Sequence, residues 1–269
     1  MNATRLPPLS YSNLTTFAAC QKQYELRYLS ALGWPLIPAG DAVASEEAEH
    51  LGNLFHLAVE QRANDQDVSL LLNESPKLHA WWLAFLRNRF DRPQGHVWHE
   101  ARLGLPFGDE RILVVMDRLQ NIDGQWTVWD WKTGRQFQRE ALGKSWQTRL
   151  YRFALAQAGQ IFNAGEPIPP AAITMAYWSA EHDRIERFPY DAEAYAADGQ
   201  AILLAIGKLH VARTAGFPMT GLGTACDAKG RPCSFVPLCL GTTGANDLMA
   251  ETWEPDGDPV REPDDDPFV

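Results

Sequence analysis

RILVVMDRLQNIDGQWTVWDWKTG, residues 111–134, is the stretch that decides the fold. Two runs rich in β-branched and aromatic residues flank Asn121-Ile122-Asp123-Gly124, a hairpin signal, so Arg111–Gln120 and Gln125–Lys132 are predicted as paired strands. Side chains alternate along a strand, which puts Asp130 and Lys132 on one face and Trp131 on the other. Asp117 ends the run Ile112–Met116 and approaches Asp130 across the hairpin. A carboxylate beside an ammonium suits phosphodiester hydrolysis. The carboxylate binds a hard divalent cation, and the lysine orients or deprotonates water beside the phosphate. An Asp-x-Lys on a strand is equally an ordinary surface pair, so its surroundings must decide.

Outward from the hairpin, His96–Pro106 reads as a preceding strand. Upstream, Ser10–Leu29 is a predicted helix with Ser12 as N-cap, and Gly33–Gly40 breaks it. Two more helices are predicted over about Ser45–Asn64 and over Lys77–Phe90. Downstream come a helix over about Glu140–Gly159, strands at Ile173–Ser179 and Arg184–Pro189, and a helix over about Ala192–Thr214. This order predicts an α/β fold with a mixed central sheet flanked by helices. The tail after about Asp247 is rich in Pro, Asp and Glu, and residues 247–269 are expected to be an acidic disordered segment.

The 269 residues carry 45% hydrophobic side chains and 10 tryptophans, enough for a sizeable core. No apolar run approaches the 18 or so residues that cross a bilayer, so no membrane partner is expected. Residues Met1–Pro8 lack the layout of a secretory signal, which predicts a cytoplasmic protein. Thiols stay reduced there, and clustered cysteines favour metal over disulfide. The net charge of −10 is uneven, since residues 251–269 hold eight acids and one base. Between Asp117 and Arg152, seven bases face four acids, reading either as a local basic patch for phosphates or as a solvated helix face.

Gly52 and His56 are four apart on a predicted helix, as are Gln147 and Tyr151, so each pair shares a face. Glycine admits close backbone approach, and His56 offers an imidazole to a metal. Core packing of His56 and ordinary amphipathic positions for Gln147 and Tyr151 are the competing readings. Glu100, at the opening of the first strand, offers an outer-shell oxygen or is a solvated strand-end acid.

The ordered set Gly52-x-x-x-His56, Asp117-Arg118, Asp130-Trp131-Lys132-Thr133-Gly134 and Gln147-x-x-x-Tyr151 resembles the PD-(D/E)XK nuclease superfamily. Within it, the RecB-like exonuclease branch with an iron–sulfur cluster is the most similar, as in the AddB nuclease domain and the CRISPR adaptation nucleases. The resemblance covers about residues 10–240. It implies a restriction-endonuclease-like core within one domain, 1–246, with a helical region at about 33–92. By the resemblance, His56, Asp117, Asp130 and the Trp131 backbone carbonyl bind Mg²⁺ or Mn²⁺, and Lys132 is the catalytic lysine beside Asp117 and Asp130. Gln147, Tyr151 and Arg118 position DNA. The pattern departs at Val114, where many relatives carry glycine, and at Met116, which replaces the proline of the superfamily's name.

The four cysteines are Cys20, Cys226, Cys233 and Cys239. Four thiolates suit a [4Fe–4S] cluster or tetrahedral zinc, and four unligated thiols are the alternative. In the relatives one cysteine lies in the first helix and three follow the last, which the resemblance carries to a cluster-binding segment, 217–240, together with Cys20. The trio here is spaced x6 then x5, where relatives have x2 then x5. The implied activity is a metal-dependent DNA exonuclease of repair or recombination, with room for a helicase or recombination partner. A nuclease processing CRISPR spacer precursors and a catalytically silent DNA-binding module are the alternatives.

Overall fold

A computed structural model describes residues 6–30, 32, 41–134, 137–220, 226, 233 and 235–240, with the backbone alone for 41–46, 237 and 240. The expected break at Gly33–Gly40, Arg135 and the tail 247–269 lie outside the described residues. The chain begins with α1 (Tyr11–Ala19) and α2 (Gln21–Tyr24), the latter running on as a π-helical turn over Glu25–Leu29. Then come α3 (Asp41–Ala63), α4 (Ser69–Leu72), α5 (Pro76–Arg87), β1 (His96–Phe107), β2 (Glu110–Ile122) and β3 (Gln125–Lys132). After these follow α6 (Arg139–Lys144), α7 (Trp146–Ala158), β4 (Ile173–Ser179), β5 (Arg184–Pro189), α8 (Ala192–Ala215) and α9 (Val236–Leu240).

The five strands form one sheet in the order β1-β2-β3-β4-β5. All neighbours are antiparallel except β3 and β4, which are parallel. A parallel neighbour needs a crossover, and α6 and α7 supply it. The β2–β3 turn has Asp123 at φ 49° and Gly124 at φ 80°, the two left-handed residues of a two-residue hairpin loop. The Asn121 carboxamide accepts from the Gly124 N–H at 2.9 Å and closes it. The mixed sheet flanked by helices is the expected fold class.

Each face of the sheet buries a different core. One, with Leu14, Met116, Val128, Leu150, Phe153, Met175 and Ile202, receives α1, α7 and α8. The other, with Phe55, Trp81, Trp82, Phe85, Trp129, Trp131 and Trp178, receives α3 and α5. Its rings meet in offset and edge-to-face pairs such as Phe85–Trp131 at 5.5 Å, each adding about 0.5–1.5 kcal/mol beyond area burial. Among the described residues no helix is long and apolar enough to cross a membrane.

The element boundaries carry corrections. The N-cap of the first helix is Ser10, not Ser12: the Ser10 hydroxyl accepts from Asn13 N–H, and the Asn13 side chain accepts from Ser10 N–H. It stops at Cys20, whose extended backbone (φ −155°, ψ 115°) separates α1 from α2. The helix expected over Glu140–Gly159 is two, because Ser145 is extended (φ −66°, ψ 150°) and caps α7 through Thr148 N–H. The short α4 was not expected.

The basic stretch is dispersed rather than a patch. Arg118 and Arg152 are buried, and Arg152 is tied to Asp198 at 3.1 Å and to the Thr148 and Pro189 carbonyls. Arg139 pairs with Glu186 and Lys144 with Glu140.

Candidate active site

The β2–β3 ladder runs from Ile122↔Gln125 to Arg118↔Trp129. One step further, the Trp131 N–H donates to the Asp117 carboxylate at 2.7 Å, a side chain standing where a strand carbonyl would. On the other side of Asp117, Glu100 takes a left-handed backbone (φ 47°) and is skipped in the β1–β2 register between His99↔Arg118 and Ala101↔Met116. The sheet is therefore locally opened on both sides of Asp117.

His56 on α3 closes this opening. Its Nε2 lies 3.1 Å from the Trp131 carbonyl and its Nδ1 3.5 Å from Asp117 Oδ2. Gly52, one turn earlier, packs on Thr133, since a Cβ there would stand 2.9 Å from Thr133 Oγ1. His56, Glu100 and Asp117 each offer a ligand atom within 4.8 Å of the other two. This brings Glu100 closer in than an outer shell requires.

Asp130 and Lys132 share the face opposite Trp131, as strand alternation requires. The Lys132 ammonium sits 2.8 Å from Asp130 Oδ2 and donates to Gln147 Oε1 at 2.8 Å. The Gln147 amide donates in turn to Asp130 Oδ1, closing a three-residue ring between β3 and α7. Asp130 is thus engaged by Lys132 and Gln147 and stands outside the His56–Glu100–Asp117 group. Tyr151, one turn after Gln147, is buried with its ring edge-on to Tyr11 at 5.9 Å. Tyr11 was not anticipated, because its proximity comes from α1 packing on α7 and has no local signature. Arg118 is not brought to this group. The alternation of β2 is broken at Asp117, since Met116 and Leu119 both enter the other core, and this turns Arg118 to the Trp-rich face, where it donates to the Phe90 carbonyl at 2.6 Å and lies 4.9 Å over the Trp131 ring.

Burial, then the Asp117 charge, pushes the Glu100 carboxyl up to about 7. Asp117 rises to about 6 through burial, against the His56 attraction and with repulsion from Asp130. For Lys132 burial alone lowers the pKa, but the Asp130 carboxylate and nearby phenols overcome it, and the ammonium is held above its usual range. Tyr151 is raised well above its usual value by burial and the neighbouring carboxylates. Burial brings Arg118 down to about 10.

The cysteines form a separate neighbourhood. All four are free thiols. Burial opposes ionisation of Cys20, but the Thr220 hydroxyl and the backbone N–H groups of Thr220, Gln23 and Lys22 outweigh it and lower its pKa. Cys233 and Cys239 are raised by burial and by repulsion from the other thiols. Cys233 N–H donates to the Cys226 carbonyl at 2.7 Å.

A family model described as PD-(D/E)XK nuclease superfamily matches residues 8–240. No curated protein matches. Among solved structures, a "Putative exonuclease" from Eubacterium rectale superposes with a TM-score of 0.53 at 11% identity, covering 88% of this chain and 93% of that one. At that identity the likeness shows a shared fold. A second structure, SSO0001, reaches a TM-score of 0.39 at 13% identity, covering 89% of each chain.

Proposed function

This chain belongs to the PD-(D/E)XK nuclease superfamily, and from that premise we propose that it is a metal-dependent DNA exonuclease of the RecB-like branch, acting in repair or recombination. The observation that carries the reading is the Lys132–Asp130 pair, 2.8 Å apart, on the strand whose next carbonyl and N–H meet His56 and Asp117. The description of the Eubacterium rectale structure supports the exonuclease part.

The donor set fits a divalent cation. Two carboxylates and an imidazole within 4.8 Å have hard oxygen ligands among them, and the two acids repel one another until a cation joins them. His56 Nε2 and the Trp131 carbonyl oxygen are 3.1 Å apart, close enough that both would reach one cation. His56, Asp117, Asp130 and the Trp131 carbonyl would hold Mg²⁺ or Mn²⁺, with Glu100 as a further oxygen. When bound, the cation supplies Lewis acidity toward a phosphate oxygen and toward water.

The protein's own groups do the rest. Asp117 fixes the Trp131 peptide through its N–H, which aims the Trp131 carbonyl at His56. Lys132, its pKa raised, works as a fixed positive charge beside the phosphate rather than as a base. Gln147 holds Lys132 and Asp130 in register, and Tyr151 backs it one turn on. Arg118 acts from behind the sheet, through Trp131 and Phe90.

The cysteine neighbourhood is read as a structural [4Fe–4S] centre held by Cys20, Cys226, Cys233 and Cys239. All four interact electrostatically, which supports one shared centre. Residues 1–246 are taken as one domain on this reading.

The test is Mn²⁺-dependent release of nucleotides from single- and double-stranded DNA labelled at either end. Asp130→Ala and Lys132→Ala should each lower the rate by about 10²–10⁴. Equal, slow release by wild type and variants would leave only a DNA-binding module.

A further inference from the structure

The face of the sheet turned away from Lys132 carries its own polar groove. The register sets Arg118 beside Trp129, Trp129 beside Ala176, and Ala176 beside Arg187. Residues paired directly across strands point to the same face, so one row holds two guanidinium groups with an indole between them. Ala176 keeps the row shallow where a larger side chain would fill it. The chain leaving α5 forms the opposite wall, with Arg89 at φ 58° and Arg92 82% exposed.

The groove has a volume of about 690 Å³ and is lined by Arg89, Arg92, Arg118 and Arg187 against a single acid, Asp91. That acid is already 3.4 Å from Arg92 Nε. Gln120 adds a carboxamide that accepts from Trp129 Nε1–H and donates to the Gln94 carbonyl. At the floor, Arg118 is 2% exposed, its Nε has no hydrogen-bond partner, and it makes no ion pair with any described carboxylate. The Arg187 guanidinium lies 5.2 Å over the Trp129 ring. Only attraction from Asp117 and Asp91, neither in contact with Arg118, offsets the burial of this cation, and an anion entering the groove supplies a nearer counter-charge. The volume suits a single nucleotide, within the usual range of small-molecule pockets.

We propose that this groove binds the phosphate of a nucleotide, free or within a single strand of nucleic acid, through Arg89 and Arg187 over the buried charge of Arg118. The groove lies across the sheet from the Asp130–Lys132 pair and holds no residue of it, so binding there does not depend on cleavage.

The experiment is done in EDTA on the full chain. A twelve-residue oligothymidylate and thymidine monophosphate are titrated separately, with inorganic phosphate as the charge-only control. Tryptophan fluorescence and the anisotropy of end-labelled oligonucleotide report binding. Arg89→Glu and Arg187→Glu are exposed changes whose folding is checked by near-ultraviolet circular dichroism. Each should weaken oligothymidylate binding about tenfold and reduce its salt slope by about one. Saturation by the monophosphate identifies a free nucleotide as sufficient. Saturation by the oligonucleotide alone identifies a strand, and either supports the groove when the arginine changes weaken it.

Unchanged affinity in both variants, or no wild-type binding of either nucleotide probe, overturns it. Lys132→Ala separates the two ideas. If it alone loses oligonucleotide binding, the groove falls and the nuclease reading stands. If wild type and Lys132→Ala release nucleotides equally slowly with Mn²⁺ while the arginine variants lose binding in EDTA, the nuclease assignment falls and the groove stands.

Discussion

Glu100 and Asp117 set the pH behaviour of the site. Their carboxyls are raised by burial to about 7 and about 6. In the metal-free protein the folded state therefore keeps protons that the unfolded chain releases in the ordinary carboxylate range. From these two groups, stability is highest below that range and is lost as pH rises through about 6–7. A cation that needs both carboxylates ionised works in the opposite sense, since it competes with those protons. Its stabilising effect should grow with pH. At fixed Mn²⁺ concentration, the rise in melting temperature over the EDTA control should be small near pH 5 and several degrees near pH 8, following about 2.7 kcal/mol at a hundredfold excess over Kd. Glu100→Gln should keep the fold and lose most of that growth. A thermal shift equal at both pH values would mean that these oxygens do not take the cation.

At the scale of elements, the site depends on how closely α3 lies against the end of β3. Only Gly52 allows it, because an added Cβ would stand 2.9 Å from Thr133 Oγ1, a short branched side chain with little freedom to withdraw. Gly52→Ala improves helix propensity by about 1 kcal/mol yet forces the helix away from the strand, and His56 moves with it. Nucleotide release should fall about tenfold or more while the melting temperature changes little. Thr133→Ala in the same chain should restore most of the rate, and a double variant no better than the single one would locate the fault elsewhere. What could be read from sequence follows the same geometry. Asp130 and Lys132 share a face by alternation, and Asp117 lies opposite Asp130 because the Asp123-Gly124 turn fixes the register, so both are local consequences. The meeting of His56 with Trp131 joins residues 75 apart in sequence and was reached only through resemblance. Arg118 was misplaced because its charge suggested the surface, whereas the chain from Phe90 to Gln94 covers it. The break at Ser145 was hidden by an apolar period that continues across it.

Over the whole molecule, two cores on opposite faces of one sheet are stitched along its length by α1, α3, α5, α7 and α8, but α9 lies far along the chain from the helices it joins. Cys239 on α9 feels the charges of Cys20, Cys226 and Cys233, and the proposed centre would connect it to the start of the chain through them. A cross-link closing a loop as long as that from residue 20 to 226 removes about 5 kcal/mol of unfolded-state entropy, before any strain. Anaerobically purified protein should be brown, with broad visible absorption and iron and sulfide in near-equal amounts. Cys20→Ser should bleach it and lower the melting temperature by about 10–20 °C, given about 2–4 °C per kcal/mol in a domain of this size. Because Cys20 lies between α1 and α2 and touches none of His56, Asp117, Asp130 or Lys132, nucleotide release measured well below the melting temperature should fall far less than stability does. Colourless protein with one equivalent of zinc would replace the cluster with a single ion. A bleached variant that melts at the wild-type temperature would show that the centre does not fasten the two ends of the chain.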